Sequence, residues 1–199
     1  MAKIPLLLPV LAALSAGCVV DAGTATPASY SDLHEKEGWI LVDGVEPVAQ
    51  QTEQDCGAAA LSTVLAHWGV DVPAAALREE CTVPGVEGLR AAELRDAARR
   101  RGFSAFLLEG SVADLEHELR RGRPFVVGLV KSLGPWSSSH FEVVVGLLPS
   151  EEVAAIDPAH GLMRDGLPAF AAEWAATKGV TLVVFRPAAK GALQAVAGP

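Results

Sequence analysis

Gln50-Gln51-Thr52-Glu53-Gln54-Asp55-Cys56-Gly57-Ala58-Ala59-Ala60-Leu61 is the stretch that decides how this chain is read. Asp55 is a favourable helix N-cap, Leu61, Val64, Leu65 and Trp68 recur at helical spacing, and Gly69 is placed to end the helix. Cys56 therefore falls in a first helical turn, where the dipole and the unpaired N–H groups favour an anion. That matters because a thiol attacks a carbonyl carbon only as the thiolate. A lone cysteine in such a place is ordinarily a small buried hydrophobe, so its meaning depends on the rest of the chain.

Eighty-four residues later, Ser139-His140-Phe141-Glu142-Val143-Val144-Val145 opens an apolar strand with a histidine, and Ile156-Asp157-Pro158 ends the next strand with an acid. The turn Pro149-Ser150-Glu151-Glu152 joins the two as a hairpin and sets His140 and Asp157 at the same end. An imidazolium is a second means of favouring a thiolate, and an acid on the other ring nitrogen fixes the tautomer. Gln50, six residues before Cys56, offers a side-chain amide for an oxyanion hole shared with the Cys56 N–H. Each such donor is worth roughly 3–4 kcal/mol. Gln51 and Gln54 compete for that place. The set predicts a cysteine peptidase working through a Cys-His-Asp triad and a thioester acyl-enzyme. Zinc held by Cys56, His140 and Asp157 matches by ligand type, but no close-spaced ligand pair accompanies them, so neither metal nor cofactor is expected.

Gln, Cys, His, Asp is the order of papain-like enzymes, and the motifs resemble those of cysteine peptidase family 39, whose members trim double-glycine leaders from bacteriocin precursors. The resemblance rests on Gln50, Asp55-Cys56-Gly57, Ala59 and Leu61, then His140-Phe141 with Val143-Val144-Val145, then Asp157-Pro158 and Gly161. Gly88 through Gly102-Phe103 and Pro124-Phe125-Val126-Val127 are similar to the family's second helix and central strand, so the likeness spans roughly residues 45–186. It implies Cys56 as nucleophile, His140 as base, Asp157 as orienting acid and Gln50 at the oxyanion. It also implies a papain-like fold and a peptide substrate. Family members are commonly fused to a membrane-spanning ATP-driven exporter, whereas this chain ends soon after the peptidase region.

The ends carry other signals. Lys3 is the only charge in the first seventeen residues, and Ile4 to Ala16 is an apolar run too short to span a bilayer but suited to a signal peptide. Leu14-Ser15-Ala16-Gly17-Cys18 resembles a bacterial lipobox, with its leucine one place farther from the cysteine than usual. The expectation is a signal at 1–17, lipidation of Cys18, and membrane attachment through acyl chains. Val19 in place of an aspartate points to the outer membrane, facing the periplasm of a bacterial envelope. Residues 18–37 are small, polar and unpatterned and read as a flexible tether, 38–186 as the peptidase domain, and 187–199 as a frayed tail.

Residues 38–186 suffice for one ordinary domain. Without Lys3 the 16 basic residues become 15 against 24 acidic, a formal charge of −9, and no basic patch with interleaved aromatics argues for nucleic acid. Cys56 and Cys81 in an exported protein raise the question of a disulfide that would silence the nucleophile, against the simpler reading of Cys81 as a buried free thiol.

Helices are expected early and strands late, an α+β order with N-terminal helices packed on a C-terminal antiparallel sheet. Trp39–Val48 reads as a short strand or pair, and Ser137-Ser138-Ser139 as a mobile flank of the cleft. His34, His67, His117 and His160 read as ordinary surface or loop histidines. Two other functions share the machinery: a peptide-binding domain that does not cut, and a papain-like amidase or transpeptidase. The intact Cys56 argues against the first, and Gly57 and Asp157 stand where cell-wall enzymes carry serine and histidine. The partners expected are a peptide or protein substrate and a secretion system encoded elsewhere.

Overall fold

A computed structural model describes residues 23–133 and 136–187 of the chain. The early elements are β1 (Thr26–Pro27), α1 (Tyr30–His34), β2 (Ile40–Leu41), α2 (Cys56–His67), α3 (Ala74–Cys81) and α4 (Ala91–Arg100). Then come β3 (Ser104–Glu109), α5 (Val112–Leu119), β4 (Phe125–Leu133), β5 (Trp136–Leu148), β6 (Glu152–Asp157), β7 (Gly161–Gly166), α6 (Leu167–Ala175) and β8 (Val180–Phe185). The strands form one antiparallel sheet in the order β1-β7-β6-β5-β4-β8-β3, with β2 also paired to β5. Helices early and sheet late give the expected α+β architecture. No helix among the described residues is long and apolar enough to cross a membrane.

α2 is the core of the helical layer. From Cys56 to Leu65 every residue is buried, so the helix is enclosed on all sides rather than amphipathic. Its small residues allow this: a Cβ added at Gly57 would meet Leu94 Cδ1 of α4 and Phe141 Cδ2 of β5, each at 3.1 Å. A side chain there would have to push Leu94 or Phe141 aside, so the glycine lets the start of α2 lie close against β5. Gly69, at φ +75°, ends the helix as expected.

β4 and β5 form the longest ladder, from Phe125↔Val144 to Leu133↔Trp136. Ser137, Ser138 and Ser139 belong to it, so the expected mobile flank is paired strand instead. β6 returns on the far side of β5 in the register Val143↔Ile156, which carries Asp157 to the level of Glu142. β7, absent from the sequence reading, pairs with β6; its two terminal glycines and the charged Arg164-Asp165 pair hide the strand pattern. The expected short strand or pair over Trp39–Val48 shrinks to Ile40–Leu41, because the chain turns away at Asp43-Gly44, where Gly44 has φ +68°.

The tether expected at 18–37 is corrected over its described part. Thr26–Pro27 adds an edge strand to β7, and Ser29 with Asp32 forms a reciprocal capping box that starts α1. Leu33 is fully buried, which stabilises by roughly 1.5–3 kcal/mol. The Tyr30 hydroxyl accepts from the Val45 N–H and lies 3.2 Å from the Val45 carbonyl. Two anchoring side chains thus override a composition that resembles a linker. The signal peptide, Cys18 and residues 188–199 lie outside the described residues.

Candidate active site

Asp55 occupies the N-cap position of α2, but its carboxylate does not cap. Oδ2 accepts from the Thr52 N–H at 3.0 Å, and Oδ1 makes an ion pair at 2.9 Å with Arg78 of α3. The acid therefore fixes the turn leading into the helix. The N–H groups of the first turn of α2, which have no intrahelical partners, are left unspent by that carboxylate beside Cys56. Cys56 is 7% exposed and sits at the floor of a cleft of about 390 Å³. Glu53, Gln54, Glu87, Gly88, Leu89, the three serines Ser137 to Ser139 and Phe141 line its walls.

His140 projects from β5 with 3% of its side chain exposed, and its Nε2 lies 2.9 Å from Asp157 Oδ1 at the end of β6. This leaves Nδ1 for Cys56, which is within hydrogen-bonding reach of the ring. Burial by itself would favour the neutral imidazole. The hydrogen bond to Asp157, the one to Cys56 and the negative charge of both outweigh it and push the His140 pKa up to about 10. Asp157 is the counterpart: burial opposes its charge, yet the His140 bond and charge, a bond from His160 and the Ala159 N–H hold it well below the usual carboxylate range. Cys56, His140 and Asp157 are thus brought together in line.

Gln50 reaches the Asp157 end of this arrangement through its N–H, which donates to Pro158 O at 2.9 Å; its Oε1 is buried without a hydrogen-bond partner. Gln54 lines the cleft beside Cys56, and Gln51 is exposed. His160 was not expected here. Its Nδ1 lies 2.9 Å from Asp157 Oδ2, so the acid bridges two imidazoles. The signal was present as Asp157-Pro158-Ala159-His160, a turn in which i and i+3 side chains meet. Cys56 and Cys81 are both free; Cys81 closes α3, 1% exposed, with burial pushing its thiol up to about 11. Trp174 is core, packed on Phe170 and donating to Val180 O.

His140, Glu142 and Asp157 bring three potential metal-donor atoms within 4.8 Å of one another. Each is committed elsewhere: Nε2 to Asp157, Glu142 to Lys131, and Asp157 to His160 and Ala159. The group is a hydrogen-bonded charge cluster rather than a cage for a cation.

The model of the peptidase C39 family matches residues 45–189. Among curated proteins, the lactococcin-G-processing and transport ATP-binding protein LagD of Lactococcus lactis subsp. lactis is 25% identical over 127 residues, covering 64% of this chain. The chain spans only 17% of that relative's length. Among solved structures, the peptidase domain of Streptococcus ComA, a bi-functional ABC transporter involved in quorum sensing, is 25% identical with a TM-score of 0.61. That match covers 72% of this chain and all of the other. A putative C39-like peptidase from Bacillus anthracis shares the fold at 16% identity and a TM-score of 0.61, over 75% of this chain and 98% of that one. So does a double glycine motif protease from an AMS/PCAT transporter, solved with a leader peptide, at 22% identity and a TM-score of 0.54, over 72% and 100%.

Proposed function

The chain belongs to the peptidase C39 family and is a cysteine-type peptidase, and we propose that it cuts peptide bonds through Cys56, His140 and Asp157, with Gln50 at the oxyanion. The observation that carries this reading is the buried His140, set between Cys56 and Asp157 with its Nε2 2.9 Å from the acid. Cys56 Sγ attacks the scissile carbonyl carbon, a C–S bond forms, and the oxygen takes the negative charge facing the Cys56 N–H and the Gln50 amide. The C–N bond then breaks, His140 delivers its proton to the leaving amine, and a thioester remains. Water attacks the thioester as His140 takes its proton; the acid leaves and the Cys56–His140 ion pair is restored.

Peptides cut after small residues such as Gly-Gly are the substrates proposed. Gly88 and the serines Ser137 to Ser139 on the cleft walls leave room for them, and the related proteins include a lactococcin-processing one and a double glycine motif protease. The enzyme is further proposed to be exported and anchored through lipidated Cys18, facing the periplasm. Eight residues lead from Cys18 to Thr26, so an anchor there holds the domain within about 30 Å of the acyl chains. Labelling with a radioactive fatty acid tests the anchor: label present in wild type and absent from Cys18→Ser supports it, and an unlabelled wild type rejects it.

Iodoacetamide alkylation from pH 5 to 9 tests the site. Cys56 is expected to be alkylated faster than the buried Cys81, and His140→Ala to slow that reaction at least tenfold. A Cys56 no more reactive than Cys81, or one indifferent to His140→Ala, would sink the peptidase mechanism and favour a peptide-binding role for the cleft.

A further inference from the structure

Glu142 stands two residues past His140 on the same face of β5, 4% exposed, inside a run whose other members are Phe141, Val143, Val144 and Val145. The cross-strand pairs Leu129↔His140 and Lys131↔Ser138 put Lys131 of β4 on that face too. Lys131 Nζ lies 2.9 Å from Glu142 Oε1 and 2.8 Å from Glu173 Oε2 on α6, with 2% of its side chain exposed. A donor atom of Glu142 is also within 4.8 Å of those of His140 and Asp157. The buried cluster therefore abuts the site without being hydrogen-bonded into it.

Burying a carboxylate and an ammonium is costly even when they pair, and apolar residues of similar volume commonly replace such pairs without loss of stability. The neighbouring valines show that β5 accepts apolar residues here. Stability alone therefore gives no reason for Glu142. We propose that Glu142, held by Lys131 and Glu173, is a positioning residue whose negative charge holds the His140 imidazolium against Cys56. The inference rests on the reading of Cys56 and His140 given above.

The groups that set the charge of Glu142 come from every element around it. Burial, the largest influence, and Asp157 of β6 push the Glu142 carboxyl above its ordinary range, while Lys131 of β4 and His140 of β5 favour the carboxylate and work against that shift. Glu173 of α6 reaches it through Lys131, Cys56 of α2 lies on the other side of His140, and His160 binds the outer oxygen of Asp157. Removing one negative charge near the imidazolium lowers the pH at which His140 loses its proton, and a charge at 4–6 Å moves such a midpoint by about one unit or more.

The test is NMR titration of the His140 ring in the full chain, with the alkaline limb of kcat/KM on a Gly-Gly peptide amide as a second readout. Glu142→Gln keeps the shape, and both midpoints are expected to fall by about one pH unit with KM unchanged, while Glu142→Asp restores them. Glu142→Met, which removes the same charge and leaves Lys131 paired with Glu173, is expected to give the same fall and covers the event that the glutamine variant fails to fold. A wild-type His140 that titrates near its ordinary 6.5 overturns the underlying reading and this inference together. A high wild-type midpoint left in place by Glu142→Gln, or by Glu142→Met, overturns the inference alone.

Discussion

Cys56→Ala is expected to leave the fold intact and to remove peptide hydrolysis, with kcat/KM on a Gly-Gly peptide amide falling by about 10⁴-fold or more. The fold survives because alanine is the best helix former and the residues that follow, Ala58 to Ala60, already pack at full burial in α2. Thermal unfolding within a few degrees of wild type checks that part. The activity is lost because alanine has no atom to form the C–S bond. Cys56→Ser isolates the chemistry further: it restores a nucleophile of similar shape, but one without the thiol's readiness to ionise, so little activity returns. His140→Ala is expected to cost a comparable factor, and the Cys56→Ala/His140→Ala double variant little more than either, since residues that act as a unit are not additive. Hydrolysis by Cys56→Ala within tenfold of wild type would place the nucleophile elsewhere.

The placement of these residues was legible because they lie where secondary-structure signals are strong. Gly57 and Ala58 to Ala60 mark a helix that must pack closely, His140 stands just before the valine run of β5, and the Pro149–Glu152 turn sets the hairpin that aligns His140 with Asp157. What escaped depends on contacts that no local pattern encodes. Lys131 and Glu142 meet because of the β4–β5 register, and Glu173 joins them from a helix more than thirty residues farther on. Asp55 was legible as an N-cap by type, yet Arg78 and the Thr52 N–H take its carboxylate. The stretch before residue 38 resembles a linker in composition, yet the burial of Leu33, the Tyr30–Val45 bonds and the pairing of Thr26–Pro27 with β7 tie it to the domain.

Asp157 offers the sharpest separation of charge from geometry. Its Oδ1 accepts from both His140 Nε2 and the Ala159 N–H, and its Oδ2 faces His160 Nδ1. An asparagine can keep the first two bonds through its carbonyl and turn its amide toward His160, so Asp157→Asn removes the charge and little else. Asp157→Ala removes the charge and the bonds that orient the ring. The alanine variant is expected to lose about 10³-fold in kcat/KM, the asparagine variant about tenfold, with its alkaline limb moved to lower pH as the imidazolium loses its counter-charge. Stability follows the same charges. The raised His140 pKa contributes stability that is fully present below about 6.5 and is lost as pH rises through about 10. The depressed Asp157 pKa contributes stability present above about 3.9 and lost as pH falls below it. Urea unfolding of wild type should therefore lose free energy both as pH falls below about 4 and as it rises toward about 10. Asp157→Asn should flatten that alkaline decline while losing far less activity than Asp157→Ala. Equal losses in both variants would show that the acid acts through its charge alone, and an unchanged alkaline decline in Asp157→Asn would show that His140 is not the group whose proton the fold holds.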